Sequence, residues 1–314
     1  MKKFAIAALG LALVAFVQPA AAAPRTVTDG AGRKVEIGDT SRIVSVGGAV
    51  TEILYALGAG DRIIAVDTTS TFPDAARAKQ NVGYMRSLAP EGVLKTAPSL
   101  ILAIEGSGPA DAIEILEHAS VPFVVVPEAR DAEGVAKKIR FVADVVGLPE
   151  KGEALAKAVL ADFSALQGAL AGVKERRKAT FVLSMGRGSP IVGGAHTSAD
   201  ALLKLADIGN AVADTNGFKP ASDEALLAAR PDAVIVMSER DHSMNAETVF
   251  AMPAFAHTPA AKTKTLLALP GLYLLGFGPR TAHAARDLAA AVYPEANIPP
   301  LPQHSWTGAH EPAK

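Results

Sequence analysis

A thirteen-residue pattern recurs in this chain. Pro90-Glu91-Gly92-Val93-Leu94-Lys95-Thr96-Ala97-Pro98-Ser99-Leu100-Ile101-Leu102 is matched by Asp223-Glu224-Ala225-Leu226-Leu227-Ala228-Ala229-Arg230-Pro231-Asp232-Ala233-Val234-Ile235. Each copy holds a glutamate, a proline seven residues later, and then an aliphatic run. Proline disfavours helix in the residue before it. Each copy therefore reads as a short helix stopped ahead of proline and fed into a buried parallel strand. Used once per half, such a unit predicts two related Rossmann-like lobes with a ligand cleft between them. The competing explanation is that helix–proline–strand units are common in α/β chains and the halves are unrelated.

Short β-branched runs alternate with helical stretches along the rest of the chain, the pattern of α/β architecture. Strands are predicted at Ile43–Val46, Ile63–Val66, Leu100–Ile104 and Phe123–Val126, then at Phe181–Ser184, Ala233–Met237 and Leu272–Leu275. Helices are predicted at Thr51–Leu57, Glu91–Thr96, Ser198–Leu205, Glu224–Ala229 and Ala282–Val292. Between the halves, Leu155, Val159, Phe163, Leu166 and Leu170 lie on one stripe of a helix that begins near Pro149 and ends near Gly172. The division is an N-terminal lobe over 24–148, a single linking helix over 149–173 and a C-terminal lobe over 174–296. One long helix is stiffer than a two-strand hinge, so small rocking rather than clamshell closure is expected. The tail, 297–314, has Pro299, Pro300 and Pro302 and no periodicity, and is expected to be disordered. Its His304, Trp306 and His310 offer metal-capable groups, with a solvated tail as the favoured reading.

Composition removes several function classes. A net charge of −1 and 5% aromatics leave neither a broad basic surface nor stacking platforms for nucleic acid. With no cysteine, there are no disulfides, thiolate metal sites, thiol nucleophiles or N-terminal lipid on Cys. Lys2 and Lys3 precede an apolar run, Phe4 to Val17, then Gln18-Pro19 and Ala20 to Ala23. This is the order of a secretory signal peptide cleaved after Ala23, which predicts an exported, periplasmic protein.

The chain has no G-x-S-x-G, P-loop, H-E-x-x-H or complete G-x-G-x-x-G motif. Its seven histidines are scattered, so any polyhistidine metal site must be assembled from distant segments. The informative segment is Asn81-Val82-Gly83-Tyr84-Met85-Arg86-Ser87-Leu88, a loop at the strand-end side of the first lobe. If it is extended, Tyr84 and Arg86 project to one side. A phenol beside a guanidinium suits ferric iron, because both the cation and the metal favour the phenolate. The plainer alternative packs the Tyr84 ring and leaves Arg86 in solvent.

Arg42 to Leu102, including Ser45-Val46-Gly47-Gly48-Ala49-Val50-Thr51-Glu52 and the Gly83-Tyr84-Met85-Arg86 loop, resembles the periplasmic haem-binding proteins of bacterial haem ABC importers. Further matches occur at Ser198-Ala199-Asp200-Ala201-Leu202 and at Leu275-Gly276-Phe277-Gly278-Pro279-Arg280-Thr281, so the resemblance runs from residue 42 to about 293. It implies two Rossmann-like lobes joined by one long helix, capture of ferric haem and delivery to an inner-membrane permease, without catalysis. It makes Tyr84 the axial iron ligand, with Arg86 stabilising the phenolate or pairing with a propionate. Arg280 would hydrogen-bond the tyrosinate across the cleft. Some members add a C-lobe histidine; here His196 is the nearest candidate, with Met185 and Arg187 as poorer ones, and five-coordinate iron is the default.

Binding proteins of this transporter class typically present one glutamate per lobe to arginines of the permease dimer, and Glu91 and Glu224 hold those places in the repeat. Each also sits at a helix N-terminus, where a carboxylate is stabilised without any partner. An outer-membrane haem receptor would act upstream. The alternatives are a ferric siderophore or corrinoid as cargo, or a periplasmic hydrolase or haem-modifying enzyme.

Overall fold

The computed structural model describes residues 25–185, 189–238 and 245–308. The expected signal peptide, Arg187 and His310 lie outside these residues. The chain opens with an antiparallel hairpin, β1 (Arg25–Thr28) and β2 (Lys34–Ile37). A parallel sheet follows, built from β3 (Ile43–Val46), β4 (Ile63–Val66), β5 (Gln80–Asn81), β6 (Leu100–Ile104) and β7 (Phe123–Val126). Its order is β5-β4-β3-β6-β7, and every pairing is parallel. The chain therefore lays strands to one side of β3, then crosses back to the other, placing a switch point between β3 and β6.

The second sheet contains β8 (Lys178–Met185), β9 (Pro190–Gly193), β10 (Gly209–Asn210), β11 (Phe218–Pro220), β12 (Ala233–Met237) and β13 (Leu266–Leu269). Strands β8, β12 and β13 run parallel, β10 pairs parallel with β8, and β9 and β11 are antiparallel additions at one edge. Both sheets are covered by helices, which is why β6 and β12 are buried along their whole lengths.

The four strands predicted in the first lobe coincide with β3, β4, β6 and β7. The repeated unit is also present in three dimensions. Helices Pro90–Leu94 and Asp223–Ala229 lead into β6 and β12, and Val93 and Leu226 are equivalently buried. The matched residues before proline, Ala97 and Arg230, share a left-handed turn at φ 51° and φ 50°. The two sheets are nonetheless unequal, because the second contains antiparallel strands.

Two expectations need correction. Leu272–Leu275 is helical, within Gly271–Leu275, and the last strand is Leu266–Leu269 instead. A four-residue apolar run has no periodicity to separate helix from strand, and Leu266-Leu267-Ala268-Leu269 lacks the β-branched residues that mark strands. The tail through Gly308 is docked rather than disordered. Ile298 and Leu301 are buried, and Arg286, on the C-terminal helix Thr281–Val292, donates from Nε to the Pro299 carbonyl and from Nη2 to the Ile298 carbonyl (2.9 and 2.6 Å). Proline excludes regular structure there but leaves its carbonyls free to accept.

The linking helix, Pro149–Leu170, buries its entire predicted stripe, Leu155, Val159, Phe163, Leu166 and Leu170. The two lobes also touch directly. Gly48, at the start of helix Gly48–Ala56, lies so close to the Leu272 side chain that a Cβ there would stand 2.6 Å from it.

Candidate functional site

The loop that carries Tyr84 and Arg86 leaves β5 on the crossover to β6, so it runs over the C-terminal edge of the first sheet beside the switch point. Ligands of open α/β sheets collect there. Its backbone is fixed on both sides. The Asn81 side-chain oxygen accepts from the Gly83 N–H (2.7 Å), and the Gly83 carbonyl accepts from the Thr68 N–H (2.9 Å). Gly83 adopts φ +96°, a conformation that L residues rarely reach. Ser87 N–H closes a turn on the Tyr84 carbonyl (2.8 Å), and Gly108 N–H donates to the Met85 carbonyl (2.9 Å).

On this rigid turn the Tyr84 side chain is left out. It is 37% exposed, and among the described residues only it and Ile115 are exposed large hydrophobic side chains. Residues 84–87 turn rather than extend, so the alternation argument that put Tyr84 and Arg86 on one side does not apply. Both are exposed, and neither side chain has a polar partner among the described residues.

Other groups occupy the same sheet edge. Glu105 follows β6 and accepts from the Glu128 backbone N–H (3.1 Å), while Glu128 follows β7. Beneath them, Lys138 is fully buried with its Nζ 3.8 Å from Glu128 Oε2. Burial pushes this amine below the ordinary lysine range, although Glu128, Glu52 and Glu105 pull the other way. Arg130 reaches across to the second lobe, where its Nη1 donates to the His196 carbonyl (2.6 Å). His196 itself is exposed at φ 62°.

Arg280 has a different partner from the one expected. It is 4% exposed, and its guanidinium grips Glu52, itself 3% exposed, through Nε–Oε1 (2.9 Å) and Nη2–Oε2 (3.2 Å); the Arg280 N–H also donates to Oε1 (3.2 Å). The guanidinium lies 3.5 Å over the Phe72 ring and 5.1 Å from that of Tyr273. Arg280 thus locks the lobes together instead of meeting the Tyr84 hydroxyl. Sequence reasoning missed Glu52, although it and Arg280 lie in two of the motifs that carried the resemblance.

Glu91 and Glu224 are exposed in the first turns of their equivalent helices, one per lobe. Hydrogen bonds from its own backbone N–H and from the Ser222 hydroxyl hold the Glu224 carboxyl below the usual range. Met185 is half-buried at the end of β8. A cavity of about 630 Å³ lies elsewhere, between β13, the C-terminal helix and the tail, and Tyr84 does not line it. Among the described residues, no helix is long and apolar enough to cross a membrane.

The periplasmic binding protein family model matches residues 43–272. Among curated relatives, an uncharacterized ABC transporter substrate-binding lipoprotein of Bacillus subtilis (strain 168) is 28% identical over 276 residues, covering 87% of this chain and 86% of its own. A vitamin B12-binding protein of Pectobacterium atrosepticum is 26% identical over 213 residues, 66% of this chain and 75% of its own. Among solved structures, the apo periplasmic heme-binding protein RhuT from Roseiflexus sp. RS-1 superimposes with a TM-score of 0.78 at 35% identity, over 82% of this chain and 100% of that one. These relatives are binding proteins rather than enzymes, the fold of the solved one superimposes on the fold described above, and with the family match spanning most of its length the chain belongs to the periplasmic binding protein family.

Proposed function

We propose that this protein captures ferric haem in the periplasm through Tyr84 and hands it to an ABC permease. The observation that carries the reading is the exposed phenol on a backbone-fixed turn at the switch point of the first sheet. Phenolate oxygen is a hard ligand that suits ferric iron, and the exposed Arg86 two residues on supplies a guanidinium to pair with a propionate. Because the turn is already held by its hydrogen bonds, little backbone ordering opposes ligation. Burial of each 100 Å² of porphyrin face adds about 2.5 kcal/mol. Five-coordinate iron with Tyr84 as its protein ligand is the default reading, and His196, exposed on the second lobe, is the nearest candidate for a sixth ligand. Glu91 and Glu224 supply one permease contact per lobe.

The vitamin B12-binding relatives favour a second reading, a corrinoid cargo. Haem is preferred because the 35% identity to a heme-binding protein extends over 82% of the chain, and because a hard oxygen donor on an open loop is matched to ferric iron. Titration of the purified mature chain with hemin and, separately, with cyanocobalamin tests both. The expected result is saturable hemin binding with a phenolate-to-iron charge-transfer band that Tyr84→Phe abolishes, while the folded stability of that variant stays within about 0.5 kcal/mol. Hemin binding with an unchanged spectrum in Tyr84→Phe, or saturable binding of cyanocobalamin alone, overturns it.

A further inference from the structure

Asp162 is an unexpected residue in its position. It lies on the inner stripe of the linking helix beside Phe163 and is 1% exposed, although a lone carboxylate in an apolar layer is costly. Two imidazoles converge on it. His283, from the first turn of the C-terminal helix, brings Nε2 to 3.3 Å from Oδ2. His304, from the docked tail, brings Nε2 to 2.9 Å from Oδ2 and 3.1 Å from Oδ1. The three donor atoms lie within 4.8 Å of one another, and the residues come from three separate segments.

From this convergence we infer a metal site: Asp162, His283 and His304 bind a divalent transition cation of the zinc type. Zinc bonds to imidazole nitrogen and carboxylate oxygen are about 2.0–2.2 Å long, so the edges of a tetrahedral site measure roughly 3.3 Å. The observed nitrogen–oxygen separations, 2.9 to 3.3 Å, need shifts of only a few tenths of an ångström to admit the ion. Two imidazole nitrogens and one carboxylate oxygen are the donor types zinc takes, and the nearby guanidiniums are already engaged elsewhere, Arg280 on Glu52 and Arg286 on Asp287 and tail carbonyls. The His304 ring is held parallel to the Trp306 indole, with centroids 4.2 Å apart and planes 5° from parallel, which fixes its aim. Of the three residues, His283 also lines the 630 Å³ cavity.

Bound there, the ion would fasten the tail to the linking helix and to the second lobe. Beyond His304 the tail reaches the first lobe as well, where Gly308 packs so closely on Phe72 that a Cβ would stand 3.0 Å from the ring. The site is separate from the proposed haem ligand and does not depend on it.

The test uses the full mature chain, stripped with chelator and free of haem, titrated with Zn²⁺ by calorimetry and with Co²⁺ by visible absorption. The expected result is one ion per chain, intense d–d bands of a four-coordinate cobalt site, and a rise in Tm on adding Zn²⁺. His304→Ala, which removes a tail side chain and leaves both lobes intact, should weaken binding by more than the ~10–100-fold typical of losing an outer-shell partner. Asp162→Asn, which keeps the shape and removes the charge, should do the same, whereas Tyr84→Phe should leave Zn²⁺ affinity unchanged. Absence of saturable binding in the wild type, or full-strength binding in both His304→Ala and Asp162→Asn, overturns the proposal and leaves a hydrogen-bonded strap.

Discussion

The Glu52–Arg280 pair makes a sharp prediction, because it is a buried ion pair that joins the lobes. Replacing Glu52 with Ala removes two side-chain hydrogen bonds and one backbone hydrogen bond from Arg280 and leaves a guanidinium only 4% exposed without its counter-charge. Breaking a buried pair from one side costs about 3–5 kcal/mol. Stacking on Phe72 at 3.5 Å persists and, at about 2 kcal/mol or more for a desolvated cation–π contact, keeps the stranded guanidinium partly stabilised, which puts the cost at the lower end of that range. The expected loss is therefore about 3 kcal/mol. An unfolding entropy of about 2.1 cal/mol/K per residue over roughly 280 residues gives ~0.6 kcal/mol/K, so the melting temperature should fall by about 5 °C. Urea titration should show a lower midpoint with an unchanged slope. Adding Arg280→Leu to Glu52→Ala should recover much of the loss, because the second change removes the stranded charge. A single variant that loses less than about 1 kcal/mol, or a double variant no more stable than the single, would refute the claim that desolvation of Arg280 sets the cost.

Lys138→Met should cost nothing and stabilise by up to about 1–3 kcal/mol, since Nζ is buried 3.8 Å from the nearest carboxylate oxygen and its partner Glu128 is partly solvated. Burial lowers the folded amine's pKa, so the unfolded chain binds more protons. Wild-type stability should then climb as pH rises from that folded value to the ordinary lysine value, and a pH series of urea midpoints on Lys138→Met should lack the climb. Reversing both exposed acids, Glu91→Lys with Glu224→Lys, should leave hemin affinity unchanged and abolish permease-coupled uptake in reconstituted vesicles; normal uptake would show that docking uses other residues.

What the sequence disclosed depended on how local the cause was. The strands of the first lobe are β-branched runs between turn residues, and the linking helix has a stripe at helical spacing. Both are set by neighbours a few positions away, and both were placed correctly. The repeat disclosed the equivalence of Pro90–Leu94 and Asp223–Ala229, down to the shared left-handed turn at Ala97 and Arg230. By contrast, β13 is a Leu-Leu-Ala-Leu run that becomes a strand because β12 offers it a parallel partner 32 residues upstream, Val234 against Leu266. The tail is ordered by a histidine that meets an aspartate 142 residues away. No window of sequence contains either cause.

The same distinction separates the residues of the site. The segment around Tyr84 was legible as a loop because Gly83 marks it locally, whereas the candidacy of Tyr84 as an iron ligand comes from the resemblance. The role of Arg280 was not, because a guanidinium beside Gly278-Pro279 is equally suited to a cargo, a carbonyl or a carboxylate, and only the approach of helix Gly48–Ala56 decides among them. Once Glu52 takes it, Tyr84 and Arg86 are left as the proposed cargo-facing groups, while the rigidity that keeps the lobes facing each other comes from elsewhere: the linking helix, the buried ion pair and the strap over Asp162. Cargo affinity and lobe geometry should therefore respond to different substitutions. Tyr84→Phe should alter the first without the second, and Glu52→Ala should loosen the second while leaving the proposed iron ligand in place.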